Sequence, residues 1–238
     1  MVSRAFCGTE STAPEPVNAW AYGGTTVLGP LSAAPAPERA AWFQWACAFG
    51  MRACLGVGGV YALVDTASGQ VVAATGVFPP GKRNMGSMSM RELMAIFGAM
   101  PEGGMGGPNK DRVWVGELPD GTMDRGTAAD KCMSAKHKKL MAGDHLAVYL
   151  FGSDPAAQGT GAGSALLAFV NQLADAEGVA SYLETAGQGG PGFFAKKGGY
   201  EEVQRLPVLY SKGADFEVDG GMCCMVRPAK ATKEFLAP

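Results

Sequence analysis

Apolar residues at helical spacing predict several helices. A tryptophan-rich stripe predicts the first, Ala36–Leu55, which is followed by glycines that end it, Gly56, Gly58 and Gly59. Ser89 and Glu92 form a capping box ahead of the apolar run Leu93–Met100. Further helices are predicted over Ala128–Met141, Gly161–Glu177 and, in a short form, around Phe193–Lys197.

Runs of β-branched and aromatic residues predict the strands. Val60–Asp65 and Gln70–Val77 flank the turn Thr66–Gly69 and predict a hairpin. The later strands are predicted at His145–Phe151, Ala180–Thr185, Glu202–Tyr210 and Met222–Arg227. This order, which ends in β-α-β-α-β-β, predicts a mixed α/β fold with helices packed on a sheet. We expect residues 1–16 to form a flexible segment and residues 17–238 to form a single domain.

Composition and charge limit the classes of partner. The chain has 238 residues, 47% of them hydrophobic, and a formal net charge of −2 with both signs intermixed. We therefore expect neither a bulk nucleic-acid binder nor a protein of the membrane, and any anion site must be built from backbone groups. Six cysteines without C-x-x-C spacing and only two histidines predict no metal site. They indicate reduced thiols in the cytoplasm, with import into an organelle left open.

A glycine-rich loop between a predicted strand and a predicted helix carries the candidate chemistry. The segment Asp154–Ser164 reads DPAAQGTGAGS. Glycine lets the backbone approach a ligand closely, and the first N–H groups of a helix lack intrahelical partners. The pattern therefore predicts a phosphate or pyrophosphate site. No Gly-Lys-Ser/Thr follows, so the loop is not a P-loop, and its glycines lack the G-x-G-x-x-G register.

Gln158-x-x-Gly161-x-Gly163 matches the Q/R-x-x-G-x-G/A motif of the GNAT (Gcn5-related N-acetyltransferase) superfamily. Leu150–Leu167 resembles the strand–loop–helix unit of that family almost throughout. Tyr182–Thr185 resembles the next strand, and Phe193–Val203 resembles the last helix with the strand after it. The resemblance extends over roughly residues 17–227 and is weakest over 101–130.

The resemblance implies a mixed, strongly twisted sheet flanked by helices, with splayed central parallel strands at His145–Ser153 and Ala180–Thr185. Acetyl-CoA would bind in that opening as co-substrate, and an amine of a small molecule or peptide would accept the acetyl group. The implied protein is a monomer or a homodimer. The implied coenzyme contacts are Phe151, Gly152 and Ser153 at the strand edge, Gln158, Gly159, Thr160, Gly161, Ala162, Gly163 and Ser164 in the loop, and Phe194.

The chain departs from the family at the positions of its acid and base. Many members have a tyrosine on the last helix that protonates the leaving thiolate, but here Phe194 or Ala195 stands at that position. A glutamate that some members have on the strand before the loop is also missing, near Ala147. Candidate substitutes for the catalytic groups are Glu184, Tyr149 and His145, although each has a structural reading too.

Three functions therefore stay open. The first is an N-acetyltransferase whose thiolate leaves with help from one of these groups, from water, or unassisted. The second is a non-catalytic acyl-CoA-binding or sensor module. The third is a nucleotide-binding protein of another α/β class, which would show no preference for CoA over NAD or ATP.

Overall fold

The computed structural model describes residues 25–26, 29–30, 47–81, 88–98, 132–186, 189–211 and 214–230. A two-stranded sheet pairs β1 with β2, and a six-stranded sheet has the strand order β3-β4-β5-β6-β8-β7. The strands are β1 Thr25–Thr26, β2 Gly29–Pro30, β3 Val60–Val64, β4 Val71–Phe78, β5 His145–Ser153, β6 Ala180–Ala186, β7 Glu201–Ser211 and β8 Ala214–Arg227. Within the large sheet β5 and β6 are parallel, and the other neighbours are antiparallel.

The described helices confirm the predicted ones. They are α1 over 47–55, α2 Met90–Gly98, α3 over 132–140, α4 Ala162–Ala176 and α5 Gly189–Phe193, which continues as a wider turn through Phe194–Gly198. The capping box of α2 is present, since the Ser89 N–H donates to Glu92 Oε2 at 2.7 Å and the Glu92 N–H donates to Ser89 Oγ at 3.3 Å. Residues 1–16, 36–46 and 101–131 lie outside the described residues, so the predictions for them stay predictions.

Helices cover both faces of the large sheet. On one face, α4 buries Leu167 and Val170 against Val148 and Leu183. On the other face, α1 packs its cysteines and Met51 against β4 and β5. The approach is close at Gly76, where a Cβ would lie 2.9 Å from Cys54 Sγ and 3.0 Å from Met51 Sδ. Burial on both faces places β5 and β6 at the centre of the core.

The last hairpin is longer than its sequence predicts. We expected the final strand to begin at Met222, but β8 begins at Ala214 and pairs with β7 as far as Ser211. Asp219, Gly220 and Gly221 interrupt the apolar pattern over this stretch. Backbone pairing with a neighbouring strand does not depend on that pattern. The predicted strand is therefore shorter than β8.

A buried ion pair joins α4 to the end of β8. Arg227, 4% exposed, donates from Nη1 and Nη2 to the carboxylate oxygens of Asp175 at 2.9 and 2.6 Å. The hydrogen bonds from Arg227 lower the pKa of Asp175 despite the opposing effect of burial. The pair fixes the C-terminal half of α4 on the sheet.

Candidate functional site

The two parallel strands separate half-way along their length. β5 pairs with β6 from His145 with Ala180 to Val148 with Leu183, and no further. Beyond that point β5 stays paired with β4 as far as Ser153, and β6 stays paired with β8 as far as Ala186. Each strand therefore follows its outer neighbour, and an opening lies between their C-terminal halves.

A β-bulge at Tyr149 marks the start of this opening. Gly76 of β4 pairs with Leu150 and Val77 pairs with Val148, so the register of the two strands shifts by one residue at Tyr149. A bulge bends its strand and increases the local twist, which directs the end of β5 away from β6. It also puts two consecutive side chains on the α1 face. A Cβ on Gly50 would lie 2.7 Å from Tyr149 Cε1 and 2.9 Å from Leu150 Cδ1.

The glycine-rich loop starts where β5 ends. Asp154 Oδ1 accepts from the Ala156 N–H at 2.8 Å and caps the short turn Pro155–Ala157. Gly159 and Gly161 then adopt positive φ angles of 80° and 94°. A Cβ at either position would meet nothing within 4 Å, so these glycines are required by backbone conformation and not by space.

The N-terminus of α4 presents backbone N–H donors. Gly161 occupies its N-cap and supplies no side-chain hydrogen bond. The first bond of the helix runs from the Ala165 N–H to the Gly161 carbonyl at 2.9 Å. The N–H groups of Ala162, Gly163 and Ser164 therefore have no intrahelical acceptor and lie at the positive end of the helix dipole. These backbone donors fit a pyrophosphate.

Two of the predicted loop donors are already used within the loop. The Gln158 N–H donates to the Pro155 carbonyl at 3.2 Å, and the Thr160 N–H donates to the Ala157 carbonyl at 3.3 Å. The hydroxyl of Thr160 donates to the same Ala157 carbonyl at 2.7 Å. These bonds fix the conformation of the loop. The N–H groups at the N-terminus of α4 are therefore the main candidates for donating to an anion.

The backbone of β5 presents alternate residues to the opening. The Asp154 N–H donates to the Val72 carbonyl at 2.9 Å, which fixes the phase of pairing with β4. Because hydrogen-bonding groups alternate along a strand, Gly152 directs its N–H and C=O toward β4. Phe151 and Ser153 direct theirs toward the opening. Of the three predicted strand-edge contacts, these two have the right direction.

Aromatic side chains line the α4 side of the opening. Phe151 lies 6.0 Å from Phe193 and 5.6 Å from Phe194, measured between ring centroids. Phe194 is 8% exposed and packs in the core against Tyr200 at 6.0 Å. Phe193 is half-buried, and its Cζ lies 3.6 Å from the place of a Cβ on Gly163. Phe193 therefore borders the first turn of α4. Phe193 was not among the predicted site residues, because two adjacent phenylalanines carry no pattern that indicates which ring is buried in the core.

Glu184 and Tyr149 lie on the opposite, α1 side of the sheet. Glu184 Oε1 accepts from the hydroxyl of Tyr182 at 2.8 Å, and the carboxylate is half-buried. Tyr149 is 42% exposed and packs edge-on against Phe78, with 5.4 Å between centroids. Each follows the last residue that pairs β5 with β6, so the structure places these two candidates next to each other at the start of the opening.

His145 lies elsewhere. It begins β5 at the closed end of the parallel pair, and six residues of strand separate it from Phe151, a distance of about 20 Å. Its Nε2 is 2.6 Å from Nε2 of His137, and its Nδ1 is 2.7 Å from the Gly143 carbonyl. Burial, and then the neighbouring His145, lower the pKa of His137 to about 4. A catalytic role for His145 stays a prediction, and its observed contacts are structural.

Comparison with known proteins was made for both the sequence and the fold. No family model and no curated protein matches the sequence. The C-terminal condensation domain of Ebony, solved with beta-alanyl-dopamine, superposes with a TM-score of 0.51 over 84% of each chain at 10% identity. The chain has a GNAT-type fold. Arylalkylamine N-acetyltransferase 2 from Aedes aegypti gives a TM-score of 0.48 at 10% identity over 82% of this chain and 81% of that one.

An acetyltransferase from Corynebacterium glutamicum described as related to histone acetyltransferase HPA2 gives 0.46 at 18% identity over 84% of this chain and 80% of that one. At 10% identity the likeness to the Ebony domain concerns the fold alone. The predicted fold class of the GNAT type, a mixed sheet with splayed parallel strands, is confirmed.

The described residues were also compared with the requirements of disulfides, metal sites and membrane spans. The five cysteines in this part of the chain are thiols that form no disulfide, namely Cys47, Cys54, Cys132, Cys223 and Cys224. Within the described ranges no group of three or more His, Cys, Asp or Glu side chains could hold a metal ion. None of the helices described is both long and apolar enough to span a bilayer.

Proposed function

We propose that this protein is an acetyl-CoA-dependent N-acetyltransferase that acts on a primary amine of a small molecule or peptide. The observation that carries the proposal is the opening between β5 and β6. On the α4 side it ends at a glycine-capped helix N-terminus, and on the α1 side it has Tyr149 and Glu184. A donor with a pyrophosphate and an acceptor with an amine would thus approach from opposite faces of one sheet.

The residues of the chain supply binding and orientation. The N–H groups of Ala162, Gly163 and Ser164 would hold the pyrophosphate, while the backbone of Phe151 and Ser153 would hold the pantetheine arm. Holding both reactants in one geometry supplies much of the rate, because the reaction becomes effectively unimolecular. Backbone N–H groups directed at the thioester oxygen would stabilise the negative charge that develops there.

The proposed reaction needs one base to accept a proton from the amine. The amine nitrogen attacks the thioester carbonyl carbon, the C–N bond forms and the C–S bond breaks. The amine gives up a proton, for which Glu184 is the acceptor we propose and Tyr149 the alternative. The sulfur leaves as thiolate and takes a proton from solvent, since neither Phe194 nor Ala195 has an acidic hydrogen.

That missing acid also supports a second candidate function. We call the N–H groups of Ala162, Gly163 and Ser164 the pyrophosphate cradle. A chain that keeps this cradle and lacks a phenol at Phe194 and Ala195 would bind acyl-CoA without turning it over. Binding and turnover measurements separate the two. Calorimetric titration with acetyl-CoA, with NAD and ATP as controls, tests the cradle. Release of free CoA thiol in the presence of a panel of amines tests catalysis.

The expected result is binding of acetyl-CoA but not of NAD or ATP, followed by thiol release that depends on the amine. Binding without thiol release for any amine would favour the non-catalytic module. Equal binding of all three compounds would contradict the assignment to CoA.

A further inference from the structure

A buried tyrosine lies directly behind the proposed base. Tyr182 and Glu184 are two residues apart on β6, so their side chains point to the same face of the sheet. The Tyr182 hydroxyl donates to Glu184 Oε1 at 2.8 Å. Tyr182 is 2% exposed, whereas Glu184 is half-buried at the beginning of the opening. One end of the pair is thus fixed in the core and the other reaches the site.

The ring of Tyr182 is itself fixed by a chain of contacts from the closed end of the strands. His137 of α3 stacks on it, with 4.2 Å between centroids and 16° between planes. Because the Gly143 carbonyl can only accept, Nδ1 of His145 carries the proton in that 2.7 Å bond. In the neutral ring Nε2 of His145 is then an acceptor, and Nε2 of His137 donates to it at 2.6 Å. The position of the Tyr182 ring therefore follows from the packing of α3 on β5.

We propose that Tyr182 is a positioning residue that orients the Glu184 carboxylate toward the acceptor amine and favours its ionised form. This proposal rests on the proposed function. A hydrogen bond donated to a carboxylate stabilises the charged form and holds the carboxylate in one orientation. Ionisable groups near this pair within the described part of the chain include Cys224 on β8 and, on α3, His137 and Lys136.

Tyr182 stays a donor across the working pH range. Burial first, and then the charge of Glu184, raise the pKa of Tyr182 well above its usual value. The phenol therefore does not compete with Glu184 for the proton of the amine. The Cys224 thiol lies beside the same hydroxyl, and burial raises its pKa too, so it remains neutral.

The test compares two tyrosines of equal burial on opposite faces of the sheet. Tyr182→Phe removes the hydroxyl that reaches Glu184 and keeps a ring to stack on His137. Tyr200→Phe makes the same chemical change at a residue that is also 2% exposed, in the core on the α4 side. We expect Tyr182→Phe to lower kcat about tenfold and to move the acidic limb of the kcat/KM profile up by about one pH unit, with an unchanged Kd for acetyl-CoA. We expect Tyr200→Phe to leave the limb in place.

A second measurement does not need turnover. The Glu184 carboxyl carbon is titrated by NMR in protein labelled with ¹³C-glutamate, with Glu184→Gln identifying the signal. A higher pKa for Glu184 in Tyr182→Phe than in wild type and Tyr200→Phe supports the inference. An equal pKa in all three overturns it, even if kcat falls. Absence of turnover in the wild type would contradict the proposed function and leave this titration able to decide the role of Tyr182.

Discussion

Tyr149 and Glu184 occupy matching places on the two parallel strands. Val148 and Leu183 are the last residues that pair β5 with β6, and Tyr149 and Glu184 are the next residues on these strands. Val148 and Leu183 point into the core under α4, so the next residue on each strand points to the α1 face. A carboxylate and a phenol therefore flank the point where the opening begins, and this is where we expect the acceptor amine to bind.

Replacing the carboxylate should abolish transfer without affecting the coenzyme. Glu184→Gln keeps an oxygen that accepts from Tyr182 but cannot take a proton, so we expect kcat to fall by about a hundredfold or more with an unchanged Kd for acetyl-CoA. Tyr149→Phe is the companion variant, because it keeps the ring packed on Phe78. A large loss in Tyr149→Phe and none in Glu184→Gln would exchange the proposed roles.

A charge in the cradle should block the coenzyme. Gly161→Asp puts a carboxylate at the N-cap of α4, and we expect acetyl-CoA binding to be lost while the protein stays folded. Gly178→Asp is the control, since Gly178 also has positive φ, 66°, with no atom within 4 Å of a Cβ. It lies about 25 Å away at the other end of the helix. Calorimetry and thermal unfolding of both variants check this. Normal binding by Gly161→Asp would contradict the assignment of the loop.

Stability should depend on pH through His137. Its pKa is lowered from 6.5 to about 4 in the folded protein, so between these values the unfolded chain binds the proton and the folded chain does not. The free energy of unfolding should therefore be highest above pH 6.5 and fall as the pH approaches 4. His137→Phe keeps a ring against Tyr182 and should remove most of this slope. Urea unfolding at several pH values measures it, and an unchanged slope in the variant would refute the assignment.

Tyrosine substitutions at Phe194 and at Ala195 test which position could supply the phenol that many family members have on the last helix. Phe194 is 8% exposed in the core, so Phe194→Tyr buries a hydroxyl and should cost about 2 kcal/mol of stability without a gain in kcat. Ala195 is exposed, and Ala195→Tyr should fold as stably as wild type. If protonation of the thiolate limits the rate, thiol release should increase only in Ala195→Tyr. An increase in Phe194→Tyr would show that its ring reaches the opening.

The burial of Phe194 and the exposure of Ala195 could not be predicted from the sequence. The motif aligned either residue with the family tyrosine, and the alternatives differ by one position. In the structure Phe194 is buried and Ala195 is exposed within the wider turn Phe194–Gly198. Gly199, with φ of 70°, ends this turn, and the Tyr200 N–H donates to the Phe194 carbonyl at 3.3 Å. A turn of this kind rotates the side chains away from their ordinary helical positions, so helical periodicity could not assign the buried ring.

The sequence by itself determined the described helices, the first hairpin and the glycine-rich loop before α4. Each depends on residues close together in the chain: periodic apolar positions, the Ser89–Glu92 box, and the spacing of Gly159, Gly161 and Gly163. The tertiary structure alone decided what lies around that loop. The bulge at Tyr149 exists only relative to the pairing of β4, and the separation of the parallel strands exists only because each follows a different neighbour.

The hydrogen bond from Tyr182 to Glu184 connects residues that are close in sequence, yet its support by His137 depends on α3 packing against β5 and β6. Contacts between elements depend on how the whole chain packs, and local patterns carry no information about them.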